Sequence, residues 1–138
     1  MREIKFRAWI KEEDIMTYFE DESYILNGDM SVDAFDYEKR DCENYFEPCY
    51  KTVDIELMQF TGLHDKNGKE IYESDIVEVT RQCIWEKGIV VFIDGCFFIK
   101  VNETLLALYE CEPNNYELEV IGNIYENSNL LKGADNIE

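Results

Sequence analysis

Short runs typical of β-strands, separated by turn-forming residues, occupy most of the chain. The clearest case is the pair Asp94-Gly95, which lies between Gly88 to Ile93 and Cys96 to Val101, two runs rich in β-branched and aromatic residues. Asp-Gly and Asn-Gly pairs favour tight turns, because both central residues of such a turn must accept positive φ. The sequence therefore predicts a β-hairpin here and a second tight turn at Asn67-Gly68.

Other runs predict further strands. The first spans residues 4–9, where Ile4, Phe6 and Ala8 are expected on one face and Lys5, Arg7 and Trp9 on the other. Strands are also predicted at Ile15 to Phe19, Val53 to Phe60, Ile71-Tyr72, Ile76 to Val79, Leu105 to Tyr109 and Leu118 to Tyr125, with Glu112 to Tyr116 as a loop. Helical spacing is scarce, so we predict a mainly β protein, built as a small barrel or rolled sheet.

The stretch from Glu20 to Tyr50 mixes acidic and aromatic residues without clear periodicity. Ser31 is a candidate N-cap for a short helix carrying Val32, Phe35 and Lys39. Tyrosine is common in this region and in protein interfaces, but the same side chains can also cover a small satellite core. Both interpretations apply to Tyr18, Tyr24, Tyr37, Tyr45 and Tyr50.

Acidic residues dominate the charge. The 138 residues carry 13 Lys and Arg against 31 Asp and Glu, a net charge of −18. The excess is evenly spread, since residues 1–56 and residues 57–138 each carry −9. Such a balance opposes contact with a phosphate backbone, which needs a basic footprint. It indicates either a surface kept soluble by repulsion or one that resembles a nucleic-acid backbone and occupies a basic protein.

The one local concentration of positive charge is at the start of the chain. A strand face with Lys5, Arg7 and Trp9 could stack on and pair with a nucleic acid. Ion pairing with the chain's own acids is the favoured alternative, because three residues cannot outweigh the surrounding negative field.

No residue pattern predicts catalysis, a cofactor or a metal. His64 is the only histidine and is expected to be exposed in a turn, so neither a triad nor a Cys/His zinc site is indicated. Asp65 to Glu70 lacks the spacing of a calcium loop, and no phosphate-binding glycine loop is present. Asp75 and Asp94 adjoin strands, where an Asp favours a local turn-capping role. We therefore expect no enzyme activity.

The cysteines and the termini bear on the compartment. Cys42, Cys49, Cys83, Cys96 and Cys111 are odd in number and lack a regular spacing, which opposes a disulfide framework. Cys96 lies in an apolar run, where a reduced thiol is expected to pack as a small hydrophobe. The start of the chain lacks the apolar region of a signal peptide, and no run is long enough to span a membrane. We expect a cytoplasmic protein.

Several blocks together resemble the YopX family of phage and prophage proteins. They are Met1 to Trp9, Leu57 to Leu63, Asp65 to Glu73, Asp75 to Val77 and Val120 to Asn127, in the family's order and from the first residue almost to the last. Ile10 stands where the family usually has Asp, and Ser74 where it usually has Gly, a residue that would ease the turn before Asp75. The segment from about Asp21 to Thr52 is where the family varies.

The resemblance implies a mostly β protein of phage or prophage origin with a C-terminal SH3-like barrel, and it implies no catalytic or binding residues. We expect an N-terminal β region at 1–56, formed by a strand pair and the variable segment, packed on an SH3-like barrel at 57–138. The expected function is a non-enzymatic protein-interaction module with an acidic surface, binding a host or phage protein. The alternatives are a self-assembling accessory protein, a homo-oligomer joined by strand edges, and, less favoured, a small-barrel nucleic-acid-binding module.

Overall fold

The computed structural model of the chain describes residues 3–35 and 50–130. The chain divides into two compact units, which we call the N-terminal unit (Phe6–Met58) and the C-terminal unit (Met1–Lys5 with Gln59–Glu138). The expected boundary between residues 56 and 57 stays a prediction. Outside the described residues lie Lys39 of the predicted helix, Tyr37 and Tyr45, Cys42 and Cys49, and the tail from Lys132.

Short antiparallel strands build the N-terminal unit. They are β1 (Phe6–Ile10), β2 (Ile15–Thr17), β3 (Tyr24–Leu26), β4 (Val32–Phe35), β5 (Tyr50–Val53) and the beginning of β6 (Ile55–His64). As predicted, β2 pairs back on β1, and β1 lies between β2 and β6. Strands β3, β4 and β5 form a second sheet in sequence order. The centre of this unit is a small core of Ala8, Ile10 and Val32, surrounded by half-buried side chains such as Tyr24 and Leu57.

The prediction of a helix beginning at Ser31 is wrong, because Val32–Phe35 is strand β4. Its first and third residues are buried and the other two are half-buried, which is the period of a strand. Ser31 lies in the β3–β4 turn, where Asp29 Oδ1 accepts hydrogen bonds from its backbone N–H at 3.0 Å and its hydroxyl at 2.6 Å. A serine before a short apolar run suits a turn as well as a helix cap, and pairing with β3 and β5 decides the outcome.

The predicted faces of the first strand are only partly right. Ile4 precedes β1 and is 69% exposed, whereas Arg7, expected on the polar face, is 3% exposed. The Arg7 Nη1 donates a hydrogen bond to the Tyr18 hydroxyl at 3.4 Å. Because β1 is an inner strand, residues of either parity can be buried, and a buried arginine then needs a polar partner.

The C-terminal unit contains the rest of β6 and the strands that follow. They are β7 (Glu70–Tyr72), β8 (Asp75–Arg81), β9 (Ile84–Ile93), β10 (Cys96–Val101), β11 (Thr104–Ala107) and β12 (Glu117–Asn123), with a 3-10 turn at Leu108–Glu110. Strands β8 to β11 form an antiparallel meander, and β12 returns to pair with β8, giving the order β11-β10-β9-β8-β12. This sheet is curled into a half-barrel, and the predicted mainly β class is confirmed.

One face of the curled sheet carries the larger core. Val77, Val79, Val90 and Ile99 contribute from the middle strands, and Leu118 from β12. The other buried members are Ile71, Phe97, Val101, Leu108, Cys111 and Val120. In β10 every second side chain, Phe97, Ile99 and Val101, contributes to this core, as expected of a strand with one buried face.

The two predicted Asx-Gly turns differ in geometry. Asp94 and Gly95 have φ of 50° and 81°, and they form the two-residue hairpin loop predicted between β9 and β10. At the second pair Gly68 alone has positive φ, 83°, so the expectation for Asn67 is wrong. The loop there is longer, because Asp65 pairs with Lys69 through N–H···O at 2.8 Å. A three-residue loop needs only its last residue in the left-handed region.

Burial of the cysteines also departs from expectation. Cys111 is buried, whereas Cys83 and Cys96 are exposed, and the three are unbridged. Cys96 is the first residue of β10, and its neighbour Phe97 takes the core-facing position. The apolar run around Cys96 therefore did not predict its burial, because alternation within a strand decides which side chains turn inward. Within residues 3–35 and 50–130, no helix has the length and apolar character to cross a membrane.

Candidate functional site

A groove of about 600 Å³ opens on the C-terminal unit between the end of β6 and the loop before β12. Leu63, Leu108 and Leu118 supply much of its apolar lining, together with Cys111 and Tyr116. Its polar lining comes from His64, Asp65, Lys66, Glu112, Asn115 and Glu117. It is larger than two other depressions of the described residues, which measure about 230 and 180 Å³, so we take it as the candidate functional site.

The first wall is formed by a bulge in β6. Phe60 pairs with Tyr72 and His64 pairs with Glu70, so three residues of β6 lie opposite one residue of β7. Gly62, in the middle of the bulge, has φ of 89°, a conformation that glycine adopts without steric cost. The extra residues bend the strand and redirect its side chains.

Hydrogen bonds of Thr61 fix this bulge. Its buried hydroxyl donates to the Ile71 carbonyl oxygen at 2.7 Å and accepts from the Leu63 N–H at 3.2 Å. Leu63 consequently lines the groove, and His64 follows at its exposed edge; the exposure was predicted, but His64 ends strand β6 and does not lie in a turn. The T-shaped contact of His64 with Phe60, at 5.6 Å between ring centroids, gives the imidazole a packing role.

The Asp65 carboxylate anchors the turn to β12. Its Oδ2 accepts a hydrogen bond from the Val120 N–H at 2.9 Å, and its Oδ1 accepts from the N–H groups of Asn67 and Lys69, each at 2.9 Å. The Lys66 N–H also donates to the Leu118 carbonyl oxygen at 2.9 Å. Burial by itself raises the pKa of Asp65, but the three N–H donors outweigh it and lower the pKa. The carboxylate is therefore a structural anion.

The second wall is a compact loop that follows the 3-10 turn. The Cys111 N–H donates to the Leu108 carbonyl oxygen at 3.2 Å, and the Tyr116 N–H donates to the Cys111 carbonyl oxygen at 2.9 Å. The Arg81 guanidinium lies 5.7 Å from the centre of the Tyr116 ring and is held by Glu86 at 2.7 Å. This cation–π contact orients the tyrosine ring beside the groove.

The charge of the groove is negative. Lys66 is neutralised by Glu119 at 3.2 Å, and this hydrogen-bonded pair raises the pKa of the lysine. Glu112 and Glu117 are exposed and, among the described residues, neither takes part in a salt bridge. The groove therefore combines an apolar floor with two acidic side chains at its rim.

The thiol in the groove is not activated. Burial, followed by the nearby Glu110, raises the pKa of Cys111 to about 11. Its Sγ donates to the Ala107 carbonyl oxygen at 3.6 Å. A thiol with this pKa is protonated at neutral pH, and the nucleophile in cysteine chemistry is the thiolate. Cys111 is therefore part of the apolar floor.

A second depression of about 230 Å³ adjoins the groove, because Leu63 and Leu108 line both. Its remaining lining is Thr61, Gly95, Cys96, Phe97 and Tyr109. Tyr109 is 65% exposed, so it is available to a molecule that extends from the groove. Leu63 and Leu108 are therefore in reach of a ligand in either depression.

Asp75, Asp94 and Lys5, which the sequence singled out, do not line the groove. Asp75 is buried and accepts a hydrogen bond from the Tyr72 N–H at 2.8 Å, and Asp94 is exposed in its hairpin loop. Lys5 forms ion pairs with Glu3 and Glu70. With Arg7 buried, the basic face proposed for the first strand does not form.

Sequence reasoning missed the groove. It interpreted Glu112 to Tyr116 only as a connecting loop, and nothing local joins this loop to Leu63. Within the described ranges, no cluster of three or more His, Cys, Asp or Glu is arranged to hold a metal ion. Of the middle-region tyrosines, Tyr24 packs on the N-terminal core and Tyr50 meets Phe35 edge to face at 5.8 Å, and neither lines the groove.

The described geometry defines a mainly β protein with curled sheets and an acidic-rimmed apolar groove. The family model described as "YopX protein" matches residues 5–132, and the chain therefore belongs to the YopX family. No curated protein matches the chain.

Two solved structures share this fold. Protein EF1440 from Enterococcus faecalis is 24% identical, with a TM-score of 0.59, and the alignment covers 95% of this chain and 99% of that one. Protein yopX from Bacillus subtilis is 23% identical, with a TM-score of 0.61 and coverage of 93% and 97%. At this identity the similarity concerns the fold.

The blocks that resemble the family are mostly structural. Thr61, Gly62 and Asp65 hold the bulge and turn, and Asn123 accepts hydrogen bonds from the backbone N–H groups of Tyr125 and Glu126 at 3.0 and 2.9 Å. Ser74, at the position where glycine is usual, has φ of 70°. The turn that glycine would ease therefore forms with serine in a left-handed conformation.

Proposed function

We propose that this protein is a non-enzymatic protein-interaction module, encoded by a phage or prophage and acting in the cytoplasm of the bacterial host. The groove binds a segment of a partner protein that combines apolar with basic side chains. The observation that carries this proposal is the apolar floor of Leu63, Leu108 and Leu118 beside the exposed Glu112 and Glu117. The partner class follows from chemistry, because an apolar anchor fills the floor and a Lys or Arg meets the rim.

The energetics favour such a partner. Burying one leucine-sized side chain contributes roughly 1.5–3 kcal/mol, so an apolar anchor seated in the groove supplies a large share of the affinity. The glutamates add less, about 0.3–1 kcal/mol each at an exposed site, but they select the sign of the partner's charge. The net charge of −18 adds long-range attraction for a basic protein.

The rival functions have less support. A nucleic-acid-binding module needs exposed cations, whereas Lys5 and Lys66 are ion-paired and Arg7 is buried. An enzyme needs an activated group, whereas the pKa of Cys111 is raised and the Asp65 carboxylate is occupied by backbone donors.

We also propose that β8 to β12 form an SH3-like barrel. The support is topological: a four-stranded meander is followed by a 3-10 turn, and the fifth strand then returns to the first. An experimental structure in which these five strands superpose on an SH3-like barrel in this order checks the assignment.

The binding proposal is tested with a library of short peptides of random sequence presented to the full chain. We expect enrichment of peptides that pair leucine-like or aromatic residues with Lys or Arg. In NMR spectra, the methyl signals of Leu63, Leu108 and Leu118 shift on titration with such a peptide. Selection of acidic peptides, or shifts confined to other residues, contradicts the proposal.

Matched variants separate the groove from the general charge. The double variant Glu112→Gln, Glu117→Gln is expected to bind the selected peptide roughly 3- to 10-fold more weakly, from two exposed charge contacts. The control is Asp94→Asn with Glu103→Gln, which removes the same charge from two exposed acids that do not line the groove. If the two double variants weaken peptide binding equally, the attraction comes from net charge, and the groove is then not the binding site.

A further inference from the structure

The two edges of the five-stranded sheet differ in how they are covered. The β12 edge is engaged by the β6–β7 turn, since the Lys66 N–H donates to the Leu118 carbonyl oxygen and the Val120 N–H donates to Asp65. It also carries Glu117 and Glu119 and a register shift after Val120. Charges and bulges are devices that stop a sheet edge from pairing with another chain.

The β11 edge lacks these devices. Thr104–Ala107 contains no charged residue and no proline, and within residues 3–35 and 50–130 β10 is the one strand that pairs with it. Leu105 is 45% exposed. A strand edge of this kind offers a row of backbone N–H and C=O groups to another strand.

The sheet face that continues from this edge is apolar. The register aligns Ala107 with Phe98 and Phe98 with Val91, and these side chains are half-buried on the face opposite the core. In the next rows, Leu105 lies beside Lys100, and the exposed Ile93 pairs with Cys96. Apolar side chains therefore run across three strands to the open edge, which is the pattern of an interaction surface.

Charge indicates which partner can approach. Residues 84–107 carry three acids and two bases, a net of −1 in a chain of −18. Two copies of so acidic a chain repel each other, and they do so least where this segment of each copy meets the other. A basic partner is not attracted to this face, since Lys87 and Lys100 are among the few charged side chains of residues 84–107.

We propose that the β11 edge is an interface with a second copy of this chain, in which two β11 strands pair antiparallel about a twofold axis. The two curled sheets become one continuous sheet, and the row of Ala107, Phe98 and Val91 side chains of each copy, with Leu105 in the adjacent row, extends across the junction. An antiparallel pair of identical strands satisfies a twofold axis directly, so the interface closes at a dimer. With four residues in the edge strand, the area is small and the dimer is weak.

Salt dependence distinguishes this dimer from binding in the groove. Screening weakens repulsion between two acidic copies, so added salt tightens the dimer, whereas it loosens the attraction between acidic groove and basic partner. Sedimentation is measured on the full chain over roughly 5–500 µM, a range that brackets a weak interface. It is repeated at about 50 and about 500 mM NaCl, between which the Debye length falls from roughly 14 Å to roughly 4 Å.

The expected result is a monomer–dimer equilibrium that tightens at least several-fold in the higher salt. Leu105→Lys weakens it by at least about tenfold, because a charged side chain at the strand edge must be desolvated. The control is Ile4→Lys, which changes the net charge equally at an exposed apolar position, 69% exposed and outside residues 84–107. It leaves the dimer intact.

Hydrogen exchange on the wild-type chain tests the same interface without a variant. Amides of residues 104–107 become more protected as protein concentration rises, and the β12 amides do not change. The proposal is overturned by a monomer at all concentrations in high salt, or by a dimer that added salt dissociates. It is also overturned by a dimer that Leu105→Lys leaves unchanged while protection rises elsewhere.

Discussion

Neutralising the Asp65 carboxylate tests whether this buried anion holds the β6–β7 turn against β12. In Asp65→Asn the side chain keeps its size but loses one acceptor oxygen, so one of three N–H donors faces an amide NH₂. If the Val120 N–H is left without a partner, the cost is about 1–3 kcal/mol, and each remaining bond loses its charge assistance, about 1 kcal/mol. We expect a loss of about 3 kcal/mol in the free energy of unfolding, a large share of the 5–15 kcal/mol of an ordinary domain.

The pH dependence gives a second, independent signature. The hydrogen bonds lower the pKa of Asp65 in the folded chain below its usual value of 3.8. Its contribution to stability is therefore fully present above that value and is lost as the pH falls through the lower, folded-state pKa. The difference between wild type and Asp65→Asn is expected to stay constant from pH 7 to about pH 5 and to shrink below about pH 4.

Urea unfolding at several pH values between 7 and 3 measures this difference, and taking the difference removes the effect of the other acids. Asp94→Asn is the matched control, since it makes the same change in the other Asx-Gly turn, where the side chain is exposed. We expect it to change stability by less than about 0.5 kcal/mol. A loss below about 1 kcal/mol in Asp65→Asn, or a difference that grows as the pH falls, refutes the reasoning.

Three further changes have expected outcomes. Gly88→Ala costs about 1–3 kcal/mol by urea unfolding, because the added Cβ meets the Lys100 carbonyl oxygen at 2.8 Å; an unchanged midpoint contradicts this packing. Ser74→Gly raises stability by up to about 1 kcal/mol, since φ of 70° favours glycine and the gain exceeds the added chain entropy; a destabilised variant contradicts the strain. At neutral pH iodoacetamide alkylates Cys96 and spares Cys111, whose pKa of about 11 and burial oppose reaction; mass spectrometry of the digested chain checks this, and early labelling of Cys111 contradicts it.

Local sequence signals predicted the positions of the two tight turns, because a turn depends on a few neighbouring residues. The hairpin at Asp94-Gly95 was predicted because a two-residue loop requires positive φ at both residues, and both have it. The turn at Asn67-Gly68 was predicted, but the φ of Asn67 was not. Its loop length depends on the pairing of Asp65 with Lys69, which the dipeptide does not encode.

Long-range pairing decided the features that the sequence did not predict. Val32–Phe35 is a strand because β3 and β5 flank it, and β5 begins fifteen residues after β4 ends. The groove depends on Asp65 meeting Val120, a contact across 55 residues. A single sequence does not reveal such long-range pairings, so Leu63 and Leu118 stand in it only as separate apolar positions.

The family motifs and the proposed partner specificity come from different parts of the groove. Leu63 and Asp65 belong to the blocks that resemble the family, and they form the bulge wall and its anchor. Glu112, Tyr116 and Glu117 lie outside those blocks: the first two are in the loop between the 3-10 turn and β12, and Glu117 is the first residue of β12. Because the motif residues maintain the backbone, they explain why a resemblance in sequence transfers the fold. Glu112 and Glu117, which would select a partner's charge, lie outside the family blocks, so a shared motif by itself carries no information about the partner. The experiments that identify the partner therefore have to use this chain, with its own rim residues Glu112 and Glu117.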